Sequence, residues 1–240
     1  MLSPTPNFTP PPGYDRIKVV QSFYELVATP FAGGVNALCW PRTLPGDFGE
    51  VVAQLGVTAG ITALDEGRLQ ALPLSAAGRA AVEILLADQL RLRALGRAPE
   101  LNCIGSYPRD EEPGPVPTDV YSWHADSAPI EADTWLCTYH GAASEGLRNV
   151  DAQRRTADPA IRAALLKIFG GADDADFREF LNENCYDLHY AAAPAAQPFS
   201  FGLGHLWRIA VDWPDSPVPP CIHRAPETLP DSQARLLLIS

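Results

Sequence analysis

Three residues with metal-binding side chains lie where two predicted strands end. His124 and Asp126 occur in the segment YSWHADSAP, and His223 occurs much later in CIHRAPE. Residues two apart in a β-strand point to the same side, so a strand that ends here directs the imidazole and the carboxylate toward one point. If the strand of His223 lies beside that of His124, the three side chains converge on one metal ion.

Two imidazoles and one carboxylate have a characteristic metal chemistry. They occupy one face of an octahedron and leave three coordination positions open, which is how non-haem Fe(II) holds a cosubstrate and O2 together. A histidine two residues before an aspartate also arises by chance in many proteins. The prediction of a metal site therefore depends on the ordered set of strand, HxD, further strands, histidine and arginine.

The arginine of this set is Arg235, twelve positions after His223 at the start of the segment ARLLLIS. A guanidinium is permanently charged and binds a carboxylate through two parallel hydrogen bonds, so a buried arginine here can hold a dicarboxylic acid. Arg224 follows His223 directly and is the alternative carboxylate partner. The sequence leaves both arginines open as cosubstrate-binding residues.

The candidate residues belong to a region with the texture of antiparallel β-sheet. After Pro99, short runs rich in β-branched, aromatic and cysteine residues are separated by proline and glycine clusters. Many short strands of this kind predict a sandwich or a barrel. The predicted strands are 100–107, 118–124, 133–140, 204–213, 219–224 and 234–240.

Residues 1–97 are predicted to pack on a core formed by residues 98–240, so that the two parts make one compact domain. The first part begins with a proline-rich arm, in which proline removes the amide donors that regular pairing requires. Hydrophobic periodicity and capping residues define the elements that follow. These elements are a buried strand at 35–40, a helix at 46–56 and a helix at about 76–95.

A helical segment interrupts the predicted strands. Asp158-Pro159 is a typical helix start, Gly170-Gly171 ends that helix, and a second helical period follows. Residues 151–190 are therefore predicted to be a helical insertion into the sheet. An insertion of this length can serve as a lid over a substrate.

The composition limits the classes of protein and partner. Hydrophobic residues make up 46% of the chain, charged residues make up 20%, and the formal net charge is -11. These proportions predict a globular protein that repels nucleic acid and anionic membranes. No apolar run reaches the ~18 residues of a bilayer span, and the start lacks a signal-peptide pattern, so a cytoplasmic location is expected. Five cysteines without a CxxC pair indicate core residues rather than disulfides.

With these motifs the sequence resembles the Fe(II)/2-oxoglutarate-dependent dioxygenase superfamily, whose motif is HxD, a distant histidine and an arginine some ten residues beyond it. The resemblance covers about residues 98–240. It implies that His124, Asp126 and His223 bind iron and that Arg235 pairs with the distal carboxylate of 2-oxoglutarate.

A further segment carries the resemblance upstream of the HxD motif. The run NCIGSY is similar to the N-x-x-x-x-Y strand of AlkB-like members, which implies that Asn102 and Tyr107 hydrogen-bond the cosubstrate. More loosely, the chain looks like a bacterial branch near the phytanoyl-CoA dioxygenase-like proteins.

The resemblance implies an α+β, mainly β fold. Its core would be a double-stranded β-helix, which is a jelly-roll, cupin-like arrangement, with flanking N-terminal helices and the helical insertion. It also implies Fe(II) as cofactor, 2-oxoglutarate as cosubstrate, and O2-dependent hydroxylation of a small-molecule substrate, with decarboxylation of 2-oxoglutarate to succinate.

Two other functions are compatible with the same residues. A protein of this fold can bind a metal or a ligand without catalysis, because fold does not fix function. An AlkB-like nucleic-acid demethylase is favoured by Asn102 and Tyr107 but opposed by the acidic charge. The remaining histidines, His140, His189 and His205, have no partner at ligand spacing and are predicted to be structural or surface residues.

Overall fold

The computed structural model describes residues 8–111, 114–227 and 233–240, which form a mixed α/β fold dominated by β-sheet. The strands are β1 (Ile17–Val19), β2 (Ala37–Trp40), β3 (Ile61–Ala63), β4 (Glu100–Ile104), β5 (Trp123–His124), β6 (Asp133–His140), β7 (Glu145–Leu147), β8 (Ala152–Arg154), β9 (His189–Ala192), β10 (Phe199–Ser200), β11 (Leu206–Ala210), β12 (Ile222–Arg224) and β13 (Arg235–Ile239). The helices are α1 (Phe23–Ala28), α2 (Phe48–Leu55), α3 (Glu66–Gln70), α4 (Ala76–Ala94), α5 (Pro159–Phe169) and α6 (Ala175–Glu183).

Seven of these strands form the large sheet, in the order β1-β2-β11-β6-β13-β4-β3. Neighbouring strands are antiparallel except β1 and β2, which are parallel. The last strand, β13, lies inside the sheet between β6 and β4. The C-terminal segment that carries Arg235 is therefore paired on both sides, which fixes its register.

Helices cover one face of the large sheet, hereafter its outer face. Leu236 and Leu238 of β13 belong to the same apolar cluster as Leu85 and Leu92 of α4, and all four are buried. Burial of each such leucine contributes about 1.5–3 kcal/mol. Helix α4 begins where the sequence predicts, because the side chain of Ser75 accepts a hydrogen bond from a backbone amide of its first turn.

The other six strands form the small sheet, in the order β10-β7-β12-β5-β9-β8, and all its neighbours are antiparallel. Its strands are short. The predicted strand 118–124 is reduced to Trp123–His124, because the carboxylate of Asp119 accepts hydrogen bonds from the backbone amides of Tyr121 and Ser122 and holds these residues in a turn.

Eight strands alternate between the two sheets along the chain. From β4 to β7, and again from β10 to β13, consecutive strands belong to different sheets. Strands β4, β6, β11 and β13 lie in the large sheet, and β5, β7, β10 and β12 lie in the small sheet. Between the sheets, the ring of Phe201 stacks on Trp207 of β11 at 4.4 Å and lies 6.4 Å from the ring of His223 in β12. The inner faces of the two sheets therefore pack against each other at this point.

The segment 151–190 contains both predicted helices. Asp158 caps α5, and Gly170 ends it in the left-handed conformation with φ of 76°. The segment also contains β8 and the beginning of β9, which the sequence pattern does not predict. Strand β9 pairs with β5, so this part of the chain extends the small sheet as well as adding helices.

None of the helices in the described residues is both long enough and apolar enough to cross a bilayer.

Candidate metal centre

The pairing of β5 with β12 places His124 and His223 directly opposite each other in neighbouring strands. Their ring centroids are 4.6 Å apart. Asp126 lies between them, with its Oδ1 3.9 Å from Nε2 of His124 and its Oδ2 3.7 Å from Nε2 of His223. The three residues offer ligand atoms that all lie within 4.8 Å of one another. This group can hold a metal ion.

The spacing of the ligand atoms is close to that of an occupied site. Ligands that lie about 2.1 Å from one ion at right angles are about 3 Å from each other. The observed separations of 3.7 and 3.9 Å therefore require only a small inward movement of the side chains. Side-chain rotation of this size needs no change in the strands.

Backbone contacts hold Asp126 in position although β5 ends at His124. The amide of Ala125 donates to the carbonyl of Leu188, and the amide of Asp212 donates to the carbonyl of Asp126. Ser127 then forms an isolated bridge with Asp212. Because these contacts keep the chain extended after His124, the HxD side chains remain on one side, as the period of two requires.

Both imidazoles are oriented by hydrogen bonds to backbone carbonyls. Nδ1 of His124 lies 2.8 Å from the carbonyl oxygen of Ser122, and Nδ1 of His223 lies 3.3 Å from that of Cys221. A carbonyl can only accept, so each Nδ1 carries the hydrogen and each Nε2 presents a lone pair toward the group. Metal-binding histidines are usually oriented by such a bond from the second ring nitrogen.

A threonine of the large sheet holds the carboxylate. The hydroxyl of Thr134 in β6 donates to Oδ2 of Asp126 at 2.6 Å. No described residue donates a hydrogen bond to Oδ1, which remains available as a ligand atom. The metal group therefore joins the two sheets, because its histidines come from one and the residue that supports its carboxylate comes from the other.

The electrostatic surroundings favour the protonation states that bind metal. Burial lowers the pKa of His124 to about 4, and the neighbouring His223 acts in the same direction. Burial disfavours ionisation of Asp126, but His223, His124 and the hydrogen bond from Thr134 outweigh it and lower the pKa of the carboxyl. A neutral imidazole at His124 and an ionised carboxylate at Asp126 are the forms that bind a cation.

A third histidine adjoins the group. His189 in β9 lies opposite His124, with ring centroids 5.9 Å apart, and its Nδ1 bonds the carbonyl of Cys185 at 2.9 Å. Burial lowers its pKa. The sequence analysis did not place His189 near the site, because it did not predict β9. A strand assignment at 189–192 would have supplied that signal.

The two other histidines lie in different surroundings. Nδ1 of His205 accepts a hydrogen bond from the backbone amide of Arg42. The ring of His140, at the end of β6, lies next to Gly49 of α2 on the helix-covered side of the large sheet. Neither residue belongs to the metal group.

Arg235 is buried on the inner face of the large sheet, with 6% of its surface exposed. Its guanidinium donates to the carbonyl of Ala142 and to the hydroxyls of Tyr107, Ser144 and Thr138. Among the described residues, no carboxylate lies within 4.0 Å of it. Burial lowers the pKa of Arg235, because no anion compensates for the lost hydration.

The two residues of the N-x-x-x-x-Y run lie beside this arginine. The hydroxyl of Tyr107 accepts a hydrogen bond from Arg235 at 2.8 Å. Asn102 is buried and pairs with Leu237 in the register that places its side chain on the same face as Arg235. Its carboxamide makes no hydrogen bond to another residue in the described part of the chain. A buried amide of this kind is suited to a ligand.

Arg224 lies on the opposite face of the small sheet from His223, because adjacent strand residues alternate in direction. Its guanidinium pairs with the carboxylate of Glu145 at 2.7 Å and lies 4.3 Å from the ring centroid of Trp123. The structure therefore brings Arg235, but not Arg224, to the inner faces that carry the metal group.

In comparisons with known proteins, no family model, no curated protein and no solved structure matches this chain.

Proposed function

We propose that this chain is an Fe(II)/2-oxoglutarate-dependent oxygenase that hydroxylates a small molecule. The observation that carries the proposal is the convergence of His124, Asp126 and His223 on one point between two sheets, beside a buried arginine that has no carboxylate partner in the described residues. In such an oxygenase, the three metal-binding residues would hold Fe(II), and the arginine would bind the distal carboxylate of 2-oxoglutarate.

The donor set of the metal group fits ferrous iron. It offers two imidazole nitrogens and a carboxylate oxygen that have no hydrogen-bond partner among the described residues. Two histidines and one carboxylate with open positions are the usual ligand set of non-haem Fe(II) oxygenases, although other divalent metals also accept it. When bound, Fe(II) would supply the activation of O2, which amino-acid side chains cannot supply.

The surroundings of Arg235 fit the distal carboxylate of 2-oxoglutarate. Thr134 supports Asp126 and Thr138 contacts Arg235, and these two threonines are four residues apart on one face of β6. Four residues of a strand span about 13 Å. The side chains at both ends reach inward from this span, so one short dicarboxylate would contact the metal group at one end and Arg235 at the other. Arg235 would bind its far end through two charge-assisted hydrogen bonds.

The strand order supports a double-stranded β-helix core. The eight alternating strands form the adjacent sets β4-β13-β6-β11 in the large sheet and β5-β12-β7-β10 in the small sheet. Eight strands in two facing sheets are typical of jelly rolls and cupins. In this fold the remaining strands would extend the core at its edges, and residues 148–198 would be an insertion between two strands of the small sheet.

The residues of the chain would bind, orient and exclude water. The carbonyls of Ser122 and Cys221 orient the imidazoles, and Thr134 holds the carboxylate. Arg235, with Tyr107, would fix the cosubstrate at its distal end. In the balanced reaction, one oxygen atom of O2 enters a substrate C–H bond as a hydroxyl group. The other enters succinate as 2-oxoglutarate loses CO2.

Succinate release tests this proposal. We expect protein supplied with Fe(II), 2-oxoglutarate and O2 to form succinate, and a fitting compound from a metabolite panel to accelerate it. His223→Ala should abolish the release, Arg235→Gln should raise the 2-oxoglutarate concentration that the release requires, and Arg224→Gln should leave it unchanged. Iron uptake without succinate from the wild-type protein, across the whole panel, would instead favour a non-catalytic metal-binding protein.

The same assay separates the proposal from a nucleic-acid demethylase. The net charge of -11 opposes binding to a polyanion. We therefore expect no salt-sensitive binding of single-stranded DNA or RNA, and no stimulation of succinate release by methylated strands. Stimulation by either would replace the small-molecule proposal.

A further inference from the structure

A row of polar side chains crosses the small sheet on the face of the metal group. Register places His223 beside His124 and His124 beside His189. In the next pair of strands, β8 and β9, Gln153 lies opposite Ala191 and Arg154 lies opposite Tyr190. Strand β8 ends at Arg154, and Arg155 begins a short 3-10 helix, Arg155–Ala157, that packs against β9, the strand of His189.

Arg155 has no ion-pair partner among the residues that the structure describes. Its Nε is buried and has no hydrogen-bond partner, and within the described ranges its guanidinium forms no ion pair. The carboxylate of Asp110 is engaged by the amide of Thr118, and that of Asp119 is engaged in the turn at 121–122. A buried guanidinium nitrogen left unpaired is unfavourable, and an anionic ligand would relieve it.

The neighbouring arginine shows the contrast. Arg154 lies over the ring of Tyr190 at 5.9 Å and is 3.9 Å from Asp187 and 3.8 Å from Asp212. Its charge is therefore compensated on the outer side of the sheet. Arg155 instead begins the short helix that packs against β9, and β9 carries the histidine that adjoins the metal group.

Two arginines that have no carboxylate partner in the described ranges lie on different sides of the metal group. Arg235 bonds Ser144, which immediately precedes β7 on the far side of β12. Arg155 lies on the other side, beyond β9. If Arg235 binds 2-oxoglutarate, Arg155 is available to bind a second anion near the same metal group.

We propose that Arg155 binds an oxyanion, a carboxylate or a phosphate, of the primary substrate, so that the substrate class is anionic small molecules. This inference rests on the proposed oxygenase function, because it identifies the second anion subsite of that site. A planar guanidinium binds both oxyanions through paired hydrogen bonds. Strand β9, which carries His189, lies between β8 and β5, so a substrate held by Arg155 would extend across this strand toward the metal group.

Direct binding measurements test the inference. Anaerobic protein with Fe(II) and saturating 2-oxoglutarate is titrated calorimetrically with linear C2–C6 carboxylates, benzoate, phenylacetate and phenyl phosphate. Primary amides and phenol serve as neutral counterparts. We expect at least one anion to bind and its neutral counterpart to bind at least about tenfold more weakly. Arg155→Gln should weaken that anion by at least about tenfold, and Arg154→Gln should leave its affinity within about twofold.

The outcomes separate the two proposals. The anion class, carboxylate or phosphate, that loses more affinity in Arg155→Gln is the oxyanion that Arg155 binds. If no anion binds, if amides bind as well as acids, or if both arginine variants behave alike, the inference is overturned. Titration of 2-oxoglutarate itself is the separate test of the oxygenase site, since it should depend on Arg235 and be unchanged in Arg155→Gln. Melting temperatures of both variants show that the fold is retained.

Discussion

The two faces of the large sheet each bury an arginine, and the two arginines are bonded differently. On the outer face, Arg42 donates to both oxygens of Asp88 at 2.9 and 2.7 Å, and Asp88 is completely buried in α4. On the inner face, Arg235 donates to one carbonyl and three hydroxyl oxygens of the described residues. Within the part of the chain that the structure describes, one buried charge is therefore neutralised and the other is not.

The electrostatic consequences have opposite directions. Burial disfavours the charged form of both arginines, but Cys137, Asp88 and Tyr139 together outweigh burial and raise the pKa of Arg42. No carboxylate of the described residues pairs with Arg235, and burial lowers its pKa. A buried charge normally requires a partner. The pair of Arg42 and Asp88 therefore attaches α4 to the sheet, whereas the proposed function assigns to Arg235 a partner from outside the chain.

The largest expected effect concerns stability. Asp88→Asn should lower the free energy of unfolding by about 3–5 kcal/mol, because it leaves Arg42 buried without a counter-charge. Arg235→Met should change it by no more than about 1 kcal/mol, because it removes an uncompensated charge and keeps an apolar stem of similar length. Urea denaturation of both variants measures the difference. Equal destabilisation would show that Arg235 is a structural residue like Arg42.

The second effect concerns the metal. His223→Ala should weaken Fe(II) or Mn(II) binding by more than about 100-fold, since loss of a residue that merely supports a ligand already weakens metal binding by about 10–100-fold. His205→Ala is the matched control, because His205 contacts the backbone of Arg42 outside the metal group. Calorimetric titration of the metal-free proteins measures both affinities. A similar affinity in the two variants would mean that the metal binds elsewhere.

The third effect concerns the cosubstrate. Arg235→Gln should raise the dissociation constant of 2-oxoglutarate by about 10–100-fold, which corresponds to the loss of charge-assisted hydrogen bonds to one carboxylate. Arg224→Gln should change it by less than about threefold, because Glu145 already pairs with that arginine on the opposite face. The reverse order in anaerobic titrations would assign the cosubstrate to Arg224.

The smallest effect separates the two ends of β6. Thr134→Val removes the hydroxyl that holds Asp126 and should weaken metal binding by about tenfold. Thr138 lies four residues further along β6 on the same face. Thr138→Val should leave metal binding unchanged and weaken the binding of 2-oxoglutarate slightly, because the contact between Thr138 and Arg235 is long at 3.4 Å. Identical profiles for the two variants would contradict the separate roles of these residues.

The sequence predicted the parts of the site that depend on local rules. The alternation of side chains along a strand is enough to place His124 and Asp126 on one side. The choice between Arg235 and Arg224 was left open from the sequence, although the same rule carries the signal, because a strand that turns His223 inward must turn Arg224 outward. Capping residues likewise predicted α4 and α5 nearly to the residue.

The parts that the sequence did not predict depend on pairing between distant segments. Strands β8 and β9 have three and four residues, and neither has a long apolar run. They are strands because β9 pairs with the short β5 and β8 pairs with β9. Register between such short strands is set by tertiary packing rather than by local propensity. The neighbourhood of His189 and Arg155 could therefore not be predicted from either segment alone.

The most direct test of the account is the absorption spectrum of the anaerobic protein with Fe(II) and 2-oxoglutarate. Chelation of iron by the keto acid should produce a weak visible charge-transfer band that requires both additions and saturates at one iron per chain. The band should be absent in His223→Ala and should need a higher 2-oxoglutarate concentration in Arg235→Gln. Folded wild-type protein that gives no band would contradict the assignment of these residues to an iron and 2-oxoglutarate site.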